Sequence, residues 1–223
     1  MCLRVGLFSL IFLYQSVAWS DITIRVLDKQ DRPVANAVVS ILLKDLQGAQ
    51  EDELVTGNSP ANAVMDQVDK QFLPHVLVVE KGQQVVFPNS DQVRHHVYSF
   101  SKPNDFEIKL YSGDQADPVS FDHPGIVVLG CNIHDQMVGY LYIAGNEQAK
   151  VTDAQGYAYF EGEPMADAGE LDVTLWHSRL SSSKIERVKQ TLGPKKTDGN
   201  WQIVLDLLPE ATKETRKFKP RFQ

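Results

Sequence analysis

Short runs of β-branched and aromatic residues, each closed within a few positions by turn chemistry, recur along the chain and leave little room for anything but strands. Ile22, Ile24 and Val26 alternate with polar neighbours, and Val85 to Phe87, Val97 to Phe100, Ile126 to Leu129, Leu141 to Ile143, Asp172 to Trp176 and Ile203 to Leu207 follow. Alternation of this kind is the period of a half-buried strand. Between the runs stand Lys81-Gly82, Pro88-Asn89, Pro124-Gly125, Ala154-Gln155-Gly156 and Asp198-Gly199, which supply the special φ values that turns need. The expected class is all-β, built from sandwiches or barrels. Helix is expected only in small pieces, around Asp105 to Tyr111 and Ser182 to Gln190.

With 223 residues, 43% of them hydrophobic, the chain can bury a core and divide into one large or two small domains. Its 22 basic residues face 29 acids, for a net charge of −7. That balance excludes a nucleic-acid partner, whose phosphates call for a basic surface. Two cysteines, Cys2 and Cys131, exclude a disulfide framework. Residues 1–20 read as a cleaved secretory signal: a basic start, an apolar run from Val5 to Tyr14, and Ala18-Trp19-Ser20 before Asp21. The apolar run is about half as long as a span of a roughly 30 Å bilayer core requires. No membrane span is expected in the mature chain, whose charge without Arg4 becomes −8. Glu51 to Pro60 reads as a polar linker, and residues 210–223, with Lys213, Arg216, Lys217, Lys219 and Arg221, as a basic flexible tail.

Cys2 leaves with the leader, so Cys131 is the residue to explain. A lone thiol in an oxidising compartment is vulnerable unless it is buried or held as a thiolate by a metal. The segment Cys131-Asn132-Ile133-His134-Asp135-Gln136-Met137 offers a thiolate, an imidazole and a thioether, which can meet at one ion only if the loop curls back. A fourth ligand must come from another strand. Asn89 to Val97 carries two candidates, His95 and His96; neighbours on a strand point to opposite faces, so one of them can face Cys131. Two imidazoles and a thiolate with a weak axial methionine suit copper. Zinc fits less well, since a thioether adds little to its site and paired Cys or His hooks are missing. A Cys-His nucleophile would need a base and an orienting third group, and neither a glycine-rich phosphate loop nor a Gly-x-Ser-x-Gly turn is present. No enzyme is expected.

At these residues the chain resembles the blue-copper cupredoxins of the amicyanin and plastocyanin group. The matches are Asn89 six positions before His95, Pro124-Gly125, and Cys131, His134 and Met137 in the short amicyanin-like spacing. Together with Phe72 to Phe87 and Arg94 to Ser101, the arrangement is similar to plastocyanin-like bacterial proteins called methylamine utilisation proteins. The resemblance implies a Greek-key cupredoxin sandwich over residues 62–145, one type 1 copper held by His95, Cys131, His134 and Met137, and an Asn89 hydrogen bond across to Asn132. It departs at Arg94, where a proline is common, at His96, in place of an asparagine, and at Asn132-Ile133, which lacks a proline. His96 is left to the surroundings of the metal or the surface, His75 and His123 to solvated positions, and His177 to an exposed one beside Trp176.

Asp21 to Ile41 looks like the opening hairpin of a carboxypeptidase-regulatory or prealbumin-like sandwich, whose Thr-Asp-x-x-Gly turn comes only at Thr152 to Gly156. The expected organisation is residues 21–50 plus 146–209 as one discontinuous β-sandwich, with the cupredoxin inserted. The alternative is that residues 21–45 extend the cupredoxin sheet. The function implied is a one-electron carrier in the periplasm serving redox partner proteins; the alternative is a carrier or accessory protein that transfers or stores copper.

Overall fold

The computed structural model describes residues 22–42, 62–112, 116–160, 170–193 and 200–210. The expected leader, the linker at 51–60 and all of the tail at 210–223 but Glu210 lie outside these residues. The described elements are β1 (Ile22–Asp28), β2 (Val38–Leu42), β3 (Ala63–Val64), β4 (Asp66–Val68), β5 (Gln71–Leu73), β6 (Val76–Glu80), β7 (Gln84–Val86), β8 (His95–Ser99), β9 (Phe106–Tyr111), β10 (Val119–Ser120), β11 (Gly125–Cys131), β12 (Val138–Ala144), β13 (Glu147–Val151), β14 (Tyr157–Phe160), β15 (Leu171–Trp176), β16 (Arg187–Leu192) and β17 (Trp201–Leu205). The fold is all-β. Among the described residues no helix is long and apolar enough to cross a membrane.

Two sandwiches emerge from the pairing. In one, the sheet β14-β1-β17 faces the sheet β13-β2-β15-β16 across a core that includes Ile22, Ile24, Val39, Ile41, Phe160, Leu175 and Ile203. In the other, β10-β7-β3 faces β6-β12-β11-β8-β9 across Phe72, Val79, Phe87, Val97, Phe121, Leu129 and Leu141. The period of two explains which side chains reach these cores: Ile22, Ile24 and Val26 are buried while Thr23 and Arg25 are only partly so. Every strand partner of β1 and β2 lies in β13 to β17. Leu42, the last residue of β2, is paired with Glu147, the first of β13, so the chain leaves and re-enters this sandwich at neighbouring points.

The turn at Thr152 to Gly156 locks that sandwich by local chemistry. The Thr152 hydroxyl accepts from the N–H of Ala37 (2.9 Å) and donates to the carbonyl of Val34 (2.7 Å). Asp153 accepts from the N–H groups of Gln155 and Tyr157 at 2.9 and 2.8 Å, closing the turn. Gly156 has φ +81°, and a Cβ there would come within 2.4 Å of the Val26 carbonyl oxygen; only glycine fits both demands.

A third cluster joins the sandwiches: Val38 and Trp176 from one pack against Val76, Ile126, Tyr140, Tyr142 and Ala144 of the other. A polar group lies beside it. Tyr142 donates to Glu147 at 2.7 Å and contacts Ser40 at 3.1 Å, and Arg187 reaches Glu147 at 3.3 Å. Burial, with the nearby Glu147 carboxylate, pushes the Tyr142 hydroxyl up to about 12.

Three expectations need correction. The segments expected as small helices are not helical: 106–111 and 187–190 are strand, and 182–186 is turn and irregular chain. Phe106 and Ile108 of β9 lean on the core at strand period, and β16 completes the open edge of β15 from Trp176 to Leu171; edge hydrogen bonding decides where no helical apolar stripe exists. His177 is buried rather than exposed. Its ring accepts from the N–H of Arg179 at 3.1 Å.

Candidate metal centre

The site forms where β8 and β11 lie side by side. β11 runs antiparallel to β8, with Cys131 opposite Val97. His95 stands two residues from Val97 on the same strand, so its side chain shares the inward face. His95 is fully buried and Cys131 nearly so, at 0% and 3% exposure. His96 takes the other face and lies half-buried, its Nε2 3.0 Å from Glu107 Oε1 but without hydrogen-bond alignment. Alternation therefore assigns the two neighbouring imidazoles to different environments.

Beyond Cys131 the chain turns back on itself. The N–H of His134 reaches the carbonyl of Cys131 at 3.4 Å, and that of Met137 the carbonyl of His134 at 2.8 Å. These successive three-residue steps return both side chains toward the strand end. His134 Nδ1 lies 3.8 Å from the Cys131 sulfur, and His95 Nδ1 lies 3.7 Å from it. The imidazole rings are 5.0 Å apart, tilted by 57°. The three donor atoms lie within 4.8 Å of one another. Met137 is buried in the same core cluster as Cys131.

The donor set fits a metal ion. With edges of 3.7 and 3.8 Å to the sulfur and a third of at most 4.8 Å, a point equidistant from the three donors lies about 2–2.4 Å from each, close to the roughly 2.0–2.3 Å of metal–nitrogen and metal–sulfur bonds. A soft thiolate and two imidazoles, with a thioether in the same core, match copper by ligand type. Cys131 is free and buried, so its sulfur is not shared with another cysteine among the described residues.

Asn89 is placed differently from the reading of the sequence. Its amide donates to the carbonyls of Val93 (3.0 Å) and Tyr111 (3.1 Å), and its oxygen accepts from the N–H of Asp91 (3.0 Å). Both donor hydrogens are thus used within its own loop and on β9. The hydrogen bond expected with Asn132 is not formed, and Asn132 is exposed. Asn89 shapes the turn that delivers His95.

One residue of the site was not singled out from the sequence. Asp91 Oδ2 lies 2.6 Å from His95 Nε2, the ring nitrogen turned away from Cys131. Its carboxylate also accepts from the backbone N–H groups of Asp69 (2.7 Å) and Lys70 (2.9 Å). Burial opposes ionisation of Asp91, but the N–H of Lys70, the His95 ring and the N–H of Asp69 outweigh it and hold the carboxyl below its ordinary value. The spacing of four residues from Asp91 to His95 was available in the sequence; the loop that folds the carboxylate onto the ring was not.

Next to the half-buried His134 in the chain, the apolar Ile133 is 50% exposed. No protein-family model matches the chain, and no curated protein sequence matches it. Among solved structures, a Cu-containing nitrite reductase (NirK) from Thermus scotoductus SA-01 is 26% identical over 38% of this chain and 23% of its own, with a TM-score of 0.36. The chain thus spans less than a quarter of that reductase. An amicyanin variant in its reduced Cu(I) form is 19% identical over 38% of this chain and 84% of its own, with a TM-score of 0.35. A purple cupredoxin from Nitrosopumilus maritimus is 21% identical over 37% of this chain and 100% of its own, with a TM-score of 0.31.

Proposed function

We propose that this chain is a type 1 copper protein that works as a one-electron carrier in the periplasm, and not an enzyme. The observation that carries the reading is the convergence of His95 Nδ1, His134 Nδ1 and the Cys131 sulfur in a largely buried corner, with Met137 buried in the same core as Cys131. The cupredoxin-like spacing of Asn89, His95, Cys131, His134 and Met137 in the sequence supports it. Copper bound there supplies a one-electron couple. The protein's part is to hold the donors. Cys131 and His95 are fixed by adjacent strands and His134 by two backbone hydrogen bonds of its loop, so a change of charge finds the donors already in place. Burial of Cys131 and His95 keeps water from the sulfur side. His134 is the ligand that reaches toward solvent, flanked by Ile133, and offers a short path to a docked redox protein. The acidic mature chain steers a basic partner, and the encounter rate falls as salt rises.

The test begins with the optical spectrum of the mature protein given one equivalent of copper(II). An intense visible thiolate-to-copper band is expected, abolished in Cys131→Ser. A spectrum that the substitution leaves unchanged, or tight zinc binding with no colour from copper, overturns the reading. Voltammetry then separates carrying electrons from carrying copper. A reversible couple with copper retained supports the electron carrier; an irreversible wave, or copper(I) passing readily to an acceptor protein, favours copper transfer.

A further inference from the structure

His95 is held from both sides of its ring. Nδ1 faces the Cys131 sulfur at 3.7 Å and Nε2 faces the Asp91 carboxylate at 2.6 Å. A neutral imidazole carries one ring proton, and an ionised carboxylate can only accept. The proton therefore belongs on Nε2, which leaves the Nδ1 lone pair aimed at the corner where His134 and Cys131 meet.

Asp91 is fixed in turn by an element that carries no ligand. Asp69 and Lys70 form the two-residue turn of the hairpin between β4 and β5, with Val68 paired to Gln71. Both have positive φ, 52° and 60°, although neither is glycine. Turns of this hand favour glycine, asparagine or aspartate, so Lys70 is strained there and a compensating contact is called for. The contact is Asp91, which accepts both of their N–H groups at 2.7 and 2.9 Å. The hairpin is tied to the same loop further through Asp66, which accepts from the Ser90 hydroxyl at 2.7 Å, and through backbone hydrogen bonds of Gln67 with Pro88 and Ser90. A strained turn, a buried ring and one carboxylate form a continuous chain from the surface hairpin to the metal corner.

We infer that Asp91 is a positioning residue for the metal. It holds His95 in the Nε2–H tautomer and places a negative charge one ring away from the ion, so that copper(II) is favoured over copper(I). This rests on the copper reading of the site, except for the tautomer, which belongs to the metal-free protein as well. A carboxylate behind a metal-bound imidazole raises the basicity of the ligand, and loss of such a partner typically weakens metal binding about 10- to 100-fold.

The competing role is a structural one, in which Asp91 only staples the hairpin. Three variants separate the two. Asp91→Ala removes acceptor and charge, Asp91→Asn keeps an acceptor for the ring but no charge, and Ser90→Ala loosens the hairpin while leaving Asp91 intact. In metal-free protein, nitrogen chemical shifts of the His95 ring should report Nε2–H in the wild type and a mixed population in Asp91→Ala. In copper-loaded protein, both Asp91 variants should lose copper(II) affinity about 10- to 100-fold and lose less for copper(I). A tenfold difference between the two losses raises the potential by about 59 mV. Ser90→Ala should match the wild type in tautomer, affinity and potential. The inference is overturned by an Nδ1–H tautomer in the wild type, by an unmoved potential in Asp91→Asn, or by equal effects in Ser90→Ala and Asp91→Ala. If Asp91→Ala does not fold, Asp91→Asn decides. A wild type without a visible copper band refutes the copper reading itself, and the tautomer then tests the positioning of His95 alone.

Discussion

Two adjacent histidines at the start of β8 are chemically alike and occupy unlike sites. His95 is fully buried beside the thiol, and His96 sits half-buried on the outer face near Glu107. Substituting them one at a time should therefore have opposite results. His95→Ala should abolish the visible copper band, because it removes one corner of the donor triangle. His96→Ala should retain it. Absorption titration with copper(II) checks both, and bleaching by His96→Ala alone would mean that the strand register differs by one. The donor types at Cys131, His134 and Met137 were legible in the sequence because they lie within seven residues. The environment of Asn89 was not, since its partners include Tyr111, 22 positions away.

At the scale of elements, turns rather than strands carry the least replaceable residues. Gly156 combines φ +81° with a virtual Cβ 2.4 Å from the Val26 carbonyl oxygen, whereas Gly193 has nothing within 4 Å of its virtual Cβ. Gly156→Ala should lower stability by about 1–3 kcal/mol from the backbone conformation alone, and more from the clash with Val26. Gly193→Ala should be near neutral. Urea unfolding of the two variants compares them directly, and equal midpoints would show that the turn relaxes at no cost. The strand periods and the turn dipeptides could be read along the sequence, whereas β9 and β16 could not, because pairing with β8 and β15 is what makes strands of them.

Across the whole molecule, the seam between the sandwiches combines apolar packing with titratable groups. Burial lowers His177 to about 4 from an ordinary 6.5, with Arg179 and His75 adding to the effect, and burial also lowers His75. The unfolded chain then binds more protons than the folded one between those two values. Stability should fall as pH drops from about 6.5 toward 4, by at most about 3 kcal/mol for His177. Unfolding of the metal-free protein across that range should show a flatter pH slope in His177→Asn, whose side-chain oxygen can still accept from Arg179; identical slopes would remove His177 as the cause. A second prediction concerns the insertion. Because Leu42 pairs with Glu147, an Asn-Gly turn replacing residues 43–146 should close a hairpin. The remaining β protein should melt cooperatively, at a lower temperature because Val38 and Trp176 lose their cover. Loss of cooperativity would mean that the two sandwiches depend on one shared core.

The amino-acid sequence by itself determined the all-β class, the turn positions and the clustering of a thiol, an imidazole and a thioether after residue 130. Each of these is a property of residues close together in the chain: a period of two, a φ requirement, a spacing of three. The family resemblance pointed to His95 over His96, but only the tertiary structure supplies the contact itself, since His95 meets Cys131 across 36 positions of sequence through the pairing of β8 with β11. It also decided that Asp91 and a ligand-free hairpin stand behind that imidazole. Strand pairing joins distant segments by backbone hydrogen bonds, which look alike for every residue type, so the partner of a strand is written in how the whole core closes rather than in the strand itself.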